Sequence, residues 1–502
     1  VCSSDLAKLE GVILLNSSTA ALQIVNVTTG KRIENVTREF NESDINAPVF
    51  SNEIMHRALA QVQRFQQLLR DYDVTAVRLY GSEALSQMKN AVYFADQIQN
   101  ITGLNLSWLN GNQESYYRQL AVRRAQLDGK TLLVDEDVFV LGMSSTRVDL
   151  GYFEHDYFKF SQHSSVGPIR LAQTIHDMAV EVTEETALAS EFINSKLADF
   201  WHMLPPFNAI DRLILLGADT AQRIFLPENK HWIAVSKQDI QLVISDLGRL
   251  NDQAIIEKYA VDFNDVPFAL TEMLLLMNVM QATNVKTVQI SDLTVLDGLI
   301  VQDVRDDNDI ITAARGIADR YMVEENHREI VLTYANQLFD RLKRVHHLGK
   351  RDRLLLSIAA LVHDVGSFIN SQKHYQYSEE ILSGIDFHGL STVEQRMIAT
   401  IARYHSAETP DSALQGTHEF LPQERLRIAK LAALLRLADA LDDSRLQKID
   451  KLSVSIGKEK ITVTGQTVAN LQLEIYVFRQ KASFFETVFG LPIVLKKKGR
   501  RS

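Results

Sequence analysis

The segment Val138-Phe-Val-Leu-Gly-Met-Ser-Ser-Thr-Arg-Val-Asp-Leu150 reads as strand, polar turn, strand. A β-type run stops at Gly142, small polar residues fill the centre, and β-type residues resume. The same pattern occurs earlier: the run Val12 to Leu15 ends in Asn-Ser-Ser-Thr, and Leu22 to Val27 leads into Thr28-Thr-Gly30. Between and after the two hairpins, strand and helix signals alternate. Val77 to Tyr80, Leu132 to Val134 and Leu213 to Leu216, the last before Gly217-Ala-Asp-Thr220, are expected strands, and Ser51 to Tyr72 has the period of an amphipathic helix. Two hairpins in such surroundings imply a duplicated α/β unit.

Around this core the chain is too long for one domain. Its 502 residues exceed what a single hydrophobic core supports, and 46% apolar with 23% charged residues is the composition of an ordinary folded protein. Fifty-three basic against sixty-three acidic side chains give a net charge of -10, the wrong sign for a protein that coats a nucleic acid duplex. Any polyanion it handles must meet a local basic site. A single cysteine, Cys2, excludes an internal disulfide framework and a cysteine zinc cluster, and suits a reducing cytoplasm. The most apolar stretches, Phe268 to Met280 and Leu354 to Val362, fall short of the roughly 18 uninterrupted apolar residues of a membrane span. No signal peptide is expected, because the run Val12 to Leu15 is too short.

The acidic stretch Asp303-Val-Arg-Asp-Asp-Asn-Asp309 reads as a linker. Beyond it the pattern changes class. From Ile310 to Leu441 the period is helical throughout, which predicts a separate all-α domain. Strand-type alternation returns at Leu452 to Ile456, Lys460 to Thr464 and Leu471 to Tyr476, followed by a short helix before Phe489-Gly490. The basic tail Lys496 to Arg501 reads as a solvated terminus.

The helical stretch carries the clearest chemistry. His363-Asp364 closes the apolar helix Leu354 to Val362, with His327 at the start of an earlier helix and Asp439 inside Leu434-Leu-Arg-Leu-Ala-Asp-Ala-Leu441. This order resembles the HD-domain superfamily of metal-dependent phosphohydrolases, whose four corresponding side chains converge on a divalent ion. A mixed imidazole and carboxylate shell suits Mg²⁺, Mn²⁺ or Fe. His374 and His405 fall where some HD enzymes hold a second metal. His346, His347, His388 and His418 are expected at the surface.

Along nearly its whole length the chain also resembles the exopolyphosphatase and guanosine pentaphosphate phosphatase family (Ppx/GppA), long form. The anchors are Tyr80-Gly-Ser-Glu-Ala-Leu85 with Asn90, Leu109-Asn-Gly-Asn-Gln-Glu114, Val166-Gly167 before Arg170-Leu-Ala172, Leu215-Leu-Gly217, Ile290-Ser-Asp292 with Gly298, Tyr321 through His405, and Phe484-Phe-Glu-Thr-Val-Phe-Gly490. The resemblance implies an actin/Hsp70-like fold, ribonuclease H-like and duplicated, of two α/β domains at 1–120 and 121–305. An all-α HD-like domain at 306–447 and a small α+β domain with the basic tail at 448–502 would follow. It further implies a divalent cofactor (Mg²⁺ or Mn²⁺), inorganic polyphosphate or guanosine pentaphosphate as substrate, no nucleic acid duplex or membrane partner, and a homodimer. The family's catalytic glutamate falls on Glu114, and its phosphate-binding positions on Ser17, Gly142, Ser145, Thr146 and Gly217.

The match is uneven. The first phosphate loop, usually Asp-x-Gly-Ser-Asn, reads Leu14-Leu-Asn-Ser-Ser18. In the second, Asp135 and the Gly142-Met-Ser-Ser-Thr146 turn cannot both align with the family without an insertion. Two expected arginines are Ser86 and Leu296, a loss of charge-assisted phosphate contacts. Three readings therefore stand: an exopolyphosphatase-type hydrolase with Glu114 as general base, weakened in its phosphate loops; a non-hydrolysing protein that senses a phosphorylated ligand; and a phosphohydrolase acting through the HD-like domain.

Overall fold

A computed structural model describes residues 8–40, 49–127, 136–144, 146–155, 157–178, 185–300, 308–406, 408 and 419–499. Asp135, Ser145, His418, the Leu132 to Val134 run and the centre of the expected linker lie outside these residues. The chain divides into two compact units, Val1–Arg305 and Asp306–Ser502. Among the described residues no helix is long and apolar enough to cross a membrane.

The first unit holds two sheets of matching topology. Strands β1 (Leu9–Leu15), β2 (Thr19–Asn26), β3 (Arg32–Glu39), β4 (Ala76–Gly81) and β5 (Leu106–Trp108) lie in the order β3-β2-β1-β4-β5. Strands β6 (Asp137–Ser144), β7 (Arg147–Glu154), β8 (Tyr157–Ser164), β9 (Arg212–Leu216), β10 (Trp232–Ser236) and β11 (Thr287–Ser291) lie in the order β10-β11-β9-β6-β7-β8. Each sheet is an antiparallel three-strand meander whose first strand then pairs in parallel with a later one, β1 with β4 and β6 with β9. The two expected hairpins are thus the first two strands of two meanders. The third strands, β3 and β8, are an addition to the sequence reading.

Strand β1 is apolar on both faces because both faces are covered. Ile13 and Leu15 meet the Asn52–Asp71 helix through Leu59, Val62, Phe65 and Leu69. That helix begins where the Ser51 hydroxyl accepts from the Ile54 N–H at 3.2 Å. Val12 and Leu14 face Leu109, Tyr117 and Leu120 together with Val295, Leu296 and Leu299. There the Gly111–Leu127 and Val295–Ile300 helices cross so closely that a Cβ at Gly298 would stand 1.8 Å from the Tyr117 carbonyl oxygen. Leu296, where the family has an arginine, is a core residue, 2% exposed. Residue 120, the expected first division, lies inside the Gly111–Leu127 helix.

Among the described residues, the second unit is helical between Asn308 and Ala440. At its centre runs the Lys350–Val362 helix, buried on every side from Leu354 onward, as an all-round apolar helix must be. Around it pack the helices Asn308–Arg320, Glu325–Arg341, Thr392–Arg403 and Pro422–Ala440. A three-stranded sheet follows, β12 (Lys451–Ile456), β13 (Ile461–Gln466) and β14 (Ile493–Lys498), with the Gln472–Phe489 helix between its last two strands.

Three expectations are corrected here. Leu471 to Tyr476 is no strand but the start of that 18-residue helix. The lysines Lys496 to Lys498 of the basic tail are exposed while Ile493 to Lys498 pair in parallel with β13. His346 is buried, its Nε2 donating to the Phe339 carbonyl at 2.7 Å while its Nδ1 accepts from the Leu348 N–H at 2.9 Å. His388 is buried as well.

Candidate functional site

Glu114 sits in the first turn of the Gly111–Leu127 helix, whose start is fixed by a reciprocal pair: the Asn110 side chain accepts from the Gln113 N–H at 2.9 Å, and the Gln113 side chain from the Asn110 N–H at 3.2 Å. The carboxylate is buried and engaged at both oxygens. Oε1 accepts from the Glu83 N–H at 2.7 Å, and Oε2 lies 3.3 Å from Arg118 Nη2. Arg118 in turn donates through Nη1 to Asp149 Oδ2 at 2.9 Å. Burial raises the Glu114 carboxyl, and Arg118 opposes the shift.

Two of the expected phosphate-loop glycines serve this packing. Asp149 faces Gly142 across the β6–β7 ladder, where a Cβ on Gly142 would meet its Oδ2 at 2.5 Å. Gly217 has φ +74° and passes so near β6 that a Cβ would stand 2.6 Å from the Met143 carbonyl oxygen. Arg147 donates to Asn112 Oδ1 at 2.9 Å and lies 3.9 Å from Glu83. Ser17 is half-buried in the β1–β2 turn and Thr146 is exposed in the β6–β7 turn. Ser86, where the other arginine was expected, donates to the Glu83 carbonyl at 2.7 Å.

The second unit brings together all six of its expected ligands. They converge because each stands at a helix end. His327 is in the first turn of the Glu325–Arg341 helix, which the Glu324 carboxylate caps by accepting from the Asn326 and His327 N–H groups. His363 and Asp364 follow the last turn of Lys350–Val362, Asp439 lies in the last turn of Pro422–Ala440, His374 opens the His374–Gly384 helix, and His405 follows Thr392–Arg403. The turn carrying His363-Asp364 is locked by Ser378, whose hydroxyl donates to the His363 carbonyl at 2.6 Å and accepts from the Gly366 N–H at 2.9 Å. A Cβ at Gly366 would lie 2.0 Å from the His374 carbonyl oxygen, so glycine there lets the two helices meet.

The donor atoms form two groups that share Asp364. Asp364 Oδ2 is 4.0 Å from His327 Nε2 and 3.6 Å from His363 Nε2, while Asp439 Oδ1 is 3.2 Å and 3.8 Å from the same two nitrogens. On the other side, Asp364 Oδ1 is 3.6 Å from His374 Nε2 and 3.4 Å from His405 Nε2, and those two nitrogens are 3.1 Å apart. Ligands at about 2.1 Å from one ion stand roughly 3–3.5 Å from each other, so these spacings suit a bound divalent cation.

The opposite ring nitrogen of each histidine is already assigned. Nδ1 of His363, His374 and His405 faces the carbonyl of Ala360, Ser371 and Ala402, and Nδ1 of His327 faces Asp442 Oδ2 at 2.9 Å. That directs every Nε2 inward. The Nε2 atoms of His327 and His363 are buried and make no hydrogen bond, a costly arrangement unless something accepts their lone pairs.

The charges agree with this at Asp364, Asp439 and His363, whereas His327 keeps a proton that a cation would have to displace. Burial alone would raise the Asp364 carboxyl, yet His363 and His405 hold it well below its usual range. Asp439, half-buried, is likewise held well down, by Lys481, His327 and His363. Burial pushes His363 down to about 4, keeping it neutral. For His327, burial is outweighed by Asp439 and Asp442, which raise it to about 9. His327, Asp364, His374, His405 and Asp439 border a cavity of about 500 Å³ that Arg436, Asp443, Arg445, Gln480 and Lys481 also line.

Sequence reasoning missed several of these residues. Asp442, which orients His327, lies three positions after Asp439, just past the end of the same helix. Gln447 anchors Asp442 from its backbone N–H at 2.7 Å and its side chain at 3.0 Å. Ser378, Arg445 and Lys481 carry no local signal.

Comparison with known proteins agrees with both units. A model described as the Ppx/GppA phosphatase family matches residues 17–306, and one for Ppx/GppA phosphatase domain III matches 311–477. A guanosine-5'-triphosphate,3'-diphosphate pyrophosphatase of Photobacterium profundum is 21% identical over 469 residues, covering 89% of this chain and 89% of that protein. Its namesake from Vibrio cholerae is 22% identical over 452 residues, covering 84% and 86%. Among solved structures, the Aquifex aeolicus PPX-GPPA enzyme covers 59% of this chain and 99% of its own at 16% identity, with a TM-score of 0.51. An exopolyphosphatase from Cytophaga hutchinsonii covers 59% and 97% at 16% identity, with a TM-score of 0.50. The duplicated meander topology is the actin-like fold of these structures. With matches that together run from residue 17 to residue 477, the chain belongs to the Ppx/GppA phosphatase family.

Proposed function

We propose that this chain is a divalent-metal-dependent phosphohydrolase that removes phosphate from a polyphosphorylated substrate. Guanosine pentaphosphate and inorganic polyphosphate are the class its relatives' names indicate. We place the hydrolysis at the HD-like centre of the helical unit. The observation that carries this is the pair of buried Nε2 atoms of His327 and His363, left without a hydrogen bond and facing Asp364 and Asp439. His327, His363, Asp364 and Asp439 would hold one ion, with Asp364, His374 and His405 able to hold a second. Mg²⁺ and Mn²⁺ fit this donor set.

A cation bound there supplies polarisation of a phosphoryl oxygen. The protein's own groups do the rest. Asp364 ties the two donor groups to one carboxylate, so their spacing is set by a single side chain. Asp442 keeps the His327 ring turned with Nε2 inward. The surrounding helix ends restrict the approach to the open side of the cavity.

A second reading keeps the chemistry at Glu114, favoured by a carboxyl that burial raises toward the range of a general base. Against it, both oxygens of Glu114 are engaged and its neighbouring cations are paired with carboxylates. Phosphate release from guanosine pentaphosphate and long-chain polyphosphate with Mn²⁺ separates the readings. Asp364→Ala is expected to fall to background, with Glu114→Gln within about twofold of the parent. The reverse pattern moves the active centre to the first unit, and a folded parent that releases no phosphate refutes both.

A further inference from the structure

Two of the three cationic side chains that line the cavity beside the His/Asp centre pair with its aspartates, with unequal commitments. Lys481, on the Gln472–Phe489 helix and only 11% exposed, pairs with Oδ2 of Asp439. That leaves Oδ1, the oxygen facing His327 and His363, unobstructed. Arg445 pairs through Nη2 with Oδ2 of Asp364 at 2.5 Å, the oxygen that faces those same two histidines. A divalent ion between the histidines and Asp364 Oδ2 competes directly with Arg445, and does not compete with Lys481.

Arg445 also reaches solvent. Its side chain is 48% exposed at the cavity mouth, and it stands on a tight turn after the Pro422–Ala440 helix with φ +55°. A non-glycine residue in that conformation costs about 1 kcal/mol or more, so the turn is held by its surroundings. The holders are visible: the Arg445 N–H donates to the Asp442 carbonyl at 2.8 Å, and Gln447 grips the Asp442 carboxylate. One short turn therefore orients His327 and delivers a guanidinium over Asp364. Arg436, the other arginine on the cavity wall, is not available for such a role, because its Nη1 donates to the carbonyls of Tyr404, Ser406 and Glu408.

We infer that Arg445 is the phosphate-binding arm of this centre, resting on Asp364 when no cation is bound and exchanging that carboxylate for a phosphoryl oxygen of the substrate when one is. A guanidinium suits this because it binds carboxylate and phosphate with the same fork. The inference rests on the metal-dependent reading above and adds the residue that recognises the anion. It implies a substrate whose terminal phosphate lies within reach of both the histidine cluster and the turn at 445.

The test uses the full chain and titrates Mn²⁺ calorimetrically, then inorganic phosphate into the Mn²⁺-loaded protein, for the parent, Arg445→Met and Arg445→Lys. Both replacements keep a Cβ on the positive-φ backbone, and thermal unfolding checks that each is folded. Arg445→Met is expected to take up Mn²⁺ about tenfold more tightly, having lost an internal competitor, and to bind phosphate about tenfold more weakly. Arg445→Lys should recover part of the phosphate affinity. If the parent takes up Mn²⁺ and Arg445→Met binds phosphate as well as the parent, the inference fails while the metal centre stands. Unchanged or weaker Mn²⁺ uptake by Arg445→Met overturns the competition on which it is built. A parent that takes up no Mn²⁺ overturns the metal-dependent reading itself.

Discussion

Both units place a pair of carboxylates at the heart of their candidate sites, and they compensate them in opposite ways. In the first unit Glu114 and Asp149 share Arg118. In the second, Asp364 and Asp439 face four histidines. Arginine is permanently charged, has no lone pair to offer, and once buried between two acids has nowhere better to go. Imidazole can be neutral, with a lone pair aimed wherever its other nitrogen's partner directs it. On the reading proposed above, the first cluster is a closed one and the second an open one that would take a cation.

The largest expected break in this comparison comes from Arg118→Met. It leaves two buried carboxylates without a counter-ion, which should destabilise the first unit by about 3–5 kcal/mol. Trp108, Trp201 and Trp232 are the chain's three tryptophans and all belong to that unit, so tryptophan fluorescence in urea reads its unfolding. A loss below about 1 kcal/mol would show that Arg118 does not hold the cluster together.

Glu272 provides a third case, a buried acid with no basic partner. Its Oε1 accepts from the Ala221 N–H at 2.7 Å, yet burial, with Asp219 and Asp265 adding, raises it to about 8 from an ordinary 4.5. Below pH 4.5 the group is protonated in both folded and unfolded chains and its titration costs nothing. As pH rises toward 8 the unfolded chain gives up the proton first, so folding loses stability. Glu272→Gln keeps the acceptor and removes this penalty. It should stabilise the first unit by about 2–4 kcal/mol at pH 8 and by almost nothing at pH 4.5. Equal stability of variant and parent at pH 8 would refute the account.

The smallest expected effect sharpens the second cluster. Asp442→Asn retains an acceptor for His327 Nδ1 but withdraws its charge, which should weaken Mn²⁺ binding by about tenfold without loss of fold. Unchanged Mn²⁺ affinity would reduce Asp442 to a support for its own turn.

What the sequence revealed follows the range of each signal. The meanders' first two strands were legible because apolar β-type runs broken by polar turns are a local pattern. The third strand, β3, was not: Arg32-Ile-Glu-Asn-Val-Thr-Arg-Glu39 is a mostly exposed edge with little apolar period. The Gln472–Phe489 helix was misread because the run Leu471 to Tyr476 alternates like a strand before its helical neighbours are counted. His327, His363, Asp364, His374, His405 and Asp439 could be proposed from residue type and order, and the fold brings them together. The link from Glu114 through Arg118 to Asp149 depends on which residues β6 and β7 place opposite each other, which the linear order does not express. The contacts of Lys481 and Arg445 with the two aspartates are likewise products of tertiary packing.

Strand β14 connects the carboxyl-terminal region to the chemistry. Its parallel pairing with β13 spans Ile461–Ile493 to Gln466–Lys498, and the helix it anchors supplies Gln480 and Lys481 to the cavity wall. A protease nick or a bulky fusion that peels β14 from its sheet would loosen that wall and release the Asp439 carboxylate from its lysine. Handling of this strand is thus a lever on the site.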